Sequence, residues 1–100
     1  MDALIQLLIT CEALLRKVGE EFWAEKLLRI VQQSSGSFDM NLIENIISSY
    51  GGMGSFNDLI ISRHNDHRVE TKDEDRLNNE LDKLRNAIYQ EAVRLQRLER

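Results

Sequence analysis

Three of the chain's five glycines fall in one nine-residue run, Tyr50-Gly51-Gly52-Met53-Gly54-Ser55-Phe56-Asn57-Asp58, and proline is absent throughout. Strong helical patterning flanks the run. A chain that keeps glycine out of its helices and gathers it at one place requires an unusual backbone path there. The run predicts a reversal between helices. Gly51 closes one helix in the left-handed conformation, Gly52 to Gly54 turn the chain, Ser55 caps the next element, and Met53 and Phe56 tuck under as hydrophobic pins. Ser55-Phe56-Asn57-Asp58 has the Ser-x-x-acid form of a capping box. A short helix from Ser55 to about Ile61 follows, with a strand at Leu59-Ile60-Ile61 as the competing reading.

On either side the apolar spacing is that of helices. Leu4, Leu7, Leu8, Cys11, Leu14, Leu15 and Val18 predict a helix over about 2–18, opened by Asp2 and stopped by Gly19. Phe22, Trp23, Leu27, Ile30 and Val31 predict a second over about 20–34, antiparallel to the first because the link is short. Trp23 is expected as a core anchor. Ser37 caps a third over about 38–50, carrying Phe38, Leu42, Ile43, Ile46 and Ile47. Leu77, Leu81, Leu84, Ile88, Leu95 and Leu98 define a long last helix over about 73–98, capped by Thr71 or Asp73, with a seam close to coiled-coil spacing. Residues 62–72 are polar and aperiodic and read as the most mobile loop. One hundred residues make one domain. The expected fold is therefore an all-α, compact four-helix bundle-like domain over 1–100, with a short fifth element after the glycine-rich turn.

Charge narrows the partners. The formal net charge of −4 argues against nucleic acid and permits a basic protein partner. Residues 66–82 hold seven acids and three bases, whereas 83–100 hold five bases and two acids. This gradient complements the last helix's own dipole. It would also let two copies pair antiparallel along that helix, acidic half on basic half.

The single cysteine, Cys11, excludes an intrachain disulfide and a cysteine-based zinc cage, and its leucine neighbours predict a buried thiol. The apolar N-terminal run follows Asp2 and is soon interrupted by Glu12, Arg16 and Lys17. It has the form of neither a signal peptide nor a membrane span, so a cytoplasmic setting is expected.

Sites for chemistry are few. His64-Asn65-Asp66-His67 could supply metal ligands only if the fold recruited Asp58 or Glu70 as a third. Ser55, a histidine and Asp58 lack the strand-turn-helix setting of a hydrolase nucleophile. Gly51 to Ser55 lacks the lysine of a phosphate loop, and Asp58 would repel an anion there. No enzyme activity, cofactor or metal is expected.

The run GGMGSFNDL (Gly51 to Leu59), the helix Leu77-Asn78-Asn79-Glu80-Leu81-Asp82-Lys83-Leu84-Arg85-Asn86-Ala87-Ile88-Tyr89 and the segment Gly19-Glu20-Glu21-Phe22-Trp23-Ala24 resemble a family of small, uncharacterised bacterial helical proteins. The resemblance spans most of the chain and implies no established enzyme activity. Small acidic proteins of this kind are often immunity proteins, which neutralise a toxin. The expected function is thus non-enzymatic protein binding, in its specific form an immunity protein occluding a basic toxin's active site. The alternative is a structural protein that dimerises through the 73–98 helix. Two surfaces are candidates for the partner: Tyr50, Met53, Phe56 and Asn57 around the glycine run, and the acidic residues Asp66, Glu70, Asp73, Glu74 and Asp75.

Overall fold

A computed structural model describes residues 2–34, 40–51 and 55–98. Four α-helices carry the fold: α1 (Asp2–Lys17), α2 (Glu21–Ser34), α3 (Met40–Ser48) and α4 (Glu74–Leu98). Three single 3-10 turns, Phe56–Asp58, Arg63–Asn65 and Thr71–Asp73, lie between α3 and α4. No strand occurs among the described residues, so the fold is all-α. The proposed cap Ser37, and Met53 with its glycine neighbours, lie outside the described residues.

The helices form where the apolar spacing requires. Leu4, Leu8, Cys11 and Leu15 fall at steps of four and three on α1 and are fully buried. At the end of α1, the Gly19 N–H donates to Arg16 O and the Glu20 N–H to Leu15 O. Gly19 has φ +81°. Together these make a Schellman motif, in which the glycine takes the left-handed position and two terminal carbonyls are satisfied. Glu20 then caps α2, its Oε2 accepting the Trp23 N–H at 3.1 Å.

α1 packs against both α2 and α4, α3 packs on α4, and α2 touches α3 only lightly. One continuous core runs through all four helices. Leu77, Leu81, Ile88 and Leu95 of the long-helix seam are buried in it. That seam is used within the chain. Of its residues, Leu98 remains largely exposed.

Two local expectations need correction. The element after the glycine run is one 3-10 turn, and the Ser55 side chain makes no capping hydrogen bond. The turn stops because Leu59 adopts an extended backbone (φ −66°, ψ 127°). Its carbonyl and the backbone of Ile61 are then bonded by α4 side chains instead of by further helix. The polar loop 62–72 is also tied down, by His67 and by the Arg68 N–H, which donates to Val18 O at 2.7 Å.

The glycine run behaves at its ends as a reversal. Gly51 has φ +91°, and the Phe56 N–H closes the loop by donating to Ser49 O at 2.9 Å.

Candidate protein-binding surface

The segment after the run is held against α4 by two side chains on that helix's inner face. Arg85 is a charged residue at a core position, 6% exposed. One of its terminal nitrogens, Nη1, donates to Phe56 O and Leu59 O, both at 2.8 Å. Nη2 pairs with Asp82 one turn earlier, and the guanidinium lies over the Phe56 ring. One turn further back than Asp82, Asn78 accepts the Ile61 N–H and donates to Ile61 O, each at 2.8 Å. Carbonyls that leave a helical path inside a protein need donors, and these two side chains supply them. Arg85 Nε and Ser55 Oγ are buried without a partner among the described residues.

A second polar contact fixes the loop before α4. The His67 Nδ1 accepts the Ser62 N–H at 3.0 Å, and its Nε2 faces Glu20 Oε1 at 3.0 Å. Since Nδ1 is an acceptor, Nε2 carries the proton and donates it to the carboxylate. Both ring nitrogens are occupied, so neither can activate a nucleophile. His64 is exposed on the neighbouring turn. Among the described residues no group of three His, Cys, Asp or Glu side chains converges on a metal position.

Five of the six aromatic residues form a chain across the molecule. Phe22 meets Trp23, Trp23 meets Phe56, Phe56 meets Tyr50, and Tyr50 meets Tyr89, with ring centroids 4.9–5.6 Å apart. Its middle is core and its ends are surface. Phe56 is 1% exposed, which fits the pin expected beneath the reversal and corrects its place in the candidate surface patch. The correction follows from its backbone: with Phe56 O turned to Arg85, the ring falls between Trp23 and Tyr50. The void beside it, lined by Leu8, Trp23, Tyr50 and Ile88 among others, is about 10 Å³, at the lower limit for a single water. It holds no ligand site.

Tyr50 is half-buried and spends its hydroxyl on Arg85 O at 2.7 Å. Burial, reinforced by neighbouring Cys11, pushes its ionisation up, and Arg85 only partly opposes this. Its ring edge nevertheless reaches the surface in an open groove of about 400 Å³ between α3 and α4, with Ile47, Gly51, Asn57, Asn86 and Tyr89. Asn57 and Asn86 are exposed. The groove therefore offers two tyrosine rings flanked by two amides and no charge. Asn57 was legible as a surface candidate. Asn86 and Tyr89 were missed, although both lie on the outer side of a helix whose inner face was clear.

The acidic candidates lie elsewhere. Asp66, Glu70 and Asp75 are exposed, and Asp73 and Glu74 half-buried. They are interleaved with bases: Lys72 pairs with Glu70 at 3.4 Å, Arg76 with Asp73 at 3.5 Å, and Glu74 accepts the Arg63 N–H at 3.3 Å. Asp66 ends a 3-10 turn with φ 62°. Fifteen residues of α4 separate Glu74 from Tyr89, about 22 Å along the helix, so the fold does not join the two candidate surfaces in one groove.

Residues 16–70 match the DUF6966 family, described as a domain of unknown function. The match covers more than half of the chain, including Glu20, His67 and the whole glycine run. No curated protein matches the chain. No solved structure matches it. No helix among the described residues is long and apolar enough to cross a membrane.

Proposed function

The chain belongs to the DUF6966 family, and we propose that it is a non-enzymatic protein-binding domain whose contact face is the α3–α4 groove. The observation that carries this reading is the groove's lining. Tyr50, Tyr89, Asn57 and Asn86 are side chains that suit a protein interface, with rings that bury area at low entropic cost and amides that bond a partner's backbone. Tyr50 is already held by its bond to Arg85 O, and such preorganisation lowers the cost of association. The polar side chains of the interior support the non-enzymatic part, because Arg85, Asn78 and His67 are engaged with backbone groups of the chain itself.

The more specific form is an immunity protein that blocks a basic toxin. The exposed acids Asp66, Glu70 and Asp75 favour it by offering carboxylates to Arg and Lys. The pairing of Glu70 with Lys72 and Asp73 with Arg76 weakens that edge and favours the groove as the contact face. Co-expression with candidate toxins encoded by neighbouring genes tests the specific form. Restored growth is expected, and unrelieved toxicity removes the toxin reading. Capture with groove variants, set out below, tests the general one.

A further inference from the structure

With the seam of α4 buried in its own core, the helix still presents a second continuous face. Asp75, Asn79, Asp82, Asn86, Val93 and Arg97 recur at helical spacing on the side away from Leu81 and Ile88. All are exposed except Val93, which is half-buried. The charges on this face divide end to end, Asp75 and Asp82 in the first half and Arg97 in the second, as do those of the whole helix. Glu74–Asp82 carries four acids and one base, and Lys83–Leu98 four bases and one acid. Arg85 points inward, so the exposed part of the second half is net +2.

From this face we infer that the occupant is a second copy of the chain, packed antiparallel along α4 with Asn86 on the two-fold axis. That register sets Asp75 against the second copy's Arg97, twice by symmetry, and Asn79 against the second copy's Val93. The two helix dipoles oppose, which is favourable side by side. Neither Asp75 nor Arg97 has an ion-pair partner within the chain among the described residues. Both are therefore available to a neighbour. The opposite, parallel arrangement would place Asp75 beside Asp75 and Arg97 beside Arg97, so charge selects the antiparallel one. This dimer shares Asn86 with the α3–α4 groove and would cover one wall of it, but Asp75 and Arg97 lie at the two ends of α4 outside the groove, so their reversals test the dimer separately.

Sedimentation from micromolar to millimolar concentration tests it. The wild type is expected to shift toward dimer at low salt and less so as salt screens the contacts. Asp75→Arg and Arg97→Asp are each expected to weaken the dimer about tenfold, and the combined D75R/R97D variant to restore it. Both positions are exposed, and circular dichroism checks that the helices persist. Asn86→Cys is expected to form a disulfide-linked dimer under mild oxidation faster than Gln33→Cys on the exposed side of α2. A wild type that stays monomeric throughout overturns the inference. So does a dimer indifferent to both single reversals, a double reversal as weak as either single one, or an Asn86→Cys variant that cross-links no faster than the control.

Discussion

Glu20 and His67, 47 residues apart, meet at 3.0 Å between Oε1 and Nε2. The same carboxylate caps α2 through the Trp23 N–H, and the same imidazole holds the Ser62 N–H. One pair thus joins the start of α2 to the loop that leads into α4. Removing either member leaves a buried polar group without its partner. Glu20→Ala and His67→Ala are each expected to cost about 2 kcal/mol. In a double-mutant cycle by urea unfolding, their combined loss should be smaller than the sum of the two.

Arg85 is the larger contributor on the same reasoning. It donates to Leu59 O, which has left helical geometry, and to Phe56 O, whose other partner is the Leu59 N–H at 3.3 Å. Arg85→Met keeps the apolar stem but strands Leu59 O and leaves Phe56 O only the Leu59 N–H at 3.3 Å, and should cost about 3 kcal/mol in urea unfolding. Arg85→Lys should recover only part of this, because an ammonium lacks the planar fork that reaches its partners in a fixed geometry.

Gly19 and Gly51 both have positive φ, +81° and +91°. Gly51→Ala meets no atom within 4 Å, so its cost of about 1 kcal/mol comes from the backbone conformation alone. At Gly19 the added Cβ would lie 3.1 Å from Arg68 Nε. That exposed side chain can move, so Gly19→Ala should cost about the same. Chemical denaturation of the two variants compares them directly.

Burial among apolar side chains pushes the Cys11 thiol from 9.0 up to about 12, against a smaller opposing effect of Arg85. The folded chain therefore keeps this proton over a pH range in which the unfolded chain loses it. The associated stability is fully present below about pH 9 and is lost as pH rises toward 12. Tyr50, also raised by burial, acts in the same direction. The unfolding free energy from urea titrations should fall from pH 8.5 to 10.5 by on the order of 1 kcal/mol per pH unit, and Cys11→Ala should flatten the fall. Thiol reagents should label Cys11 only at the rate of unfolding.

The sequence was most legible where one periodicity governs many residues. The steps of α1 and α4, the glycine stop at Gly19 and the reversal at Gly51 all follow from local chemistry. The misses depend on distant partners. His67 sits in a run without periodicity, and its burial is decided by Glu20 and by the tether from Arg68 to Val18. Arg85 did leave a signal, since it lies four residues after Leu81 and three before Ile88, on the apolar face of α4. A charge there asks for buried acceptors, and the carbonyls of Phe56 and Leu59 are those acceptors. Phe56 was legible as apolar, but nothing local decides between core and surface for one ring beside glycines. The groove was half legible, from Tyr50 and Asn57. Its other wall, Asn86 and Tyr89, is defined only once α3 lies on α4.

Affinity capture from cells that naturally make the protein tests the binding reading most directly. Three baits are compared: the wild type, a groove variant Asn57→Arg, and an acidic-edge variant Glu70→Lys. Both positions are exposed and lie off α4, so folding should persist in each and the α4 face is unchanged. The groove account predicts a partner protein recovered with the wild type and the acidic-edge variant, and lost with the groove variant. Equal recovery of that partner by the groove variant, its loss with the acidic-edge variant alone, or recovery of no partner by the wild type would contradict it.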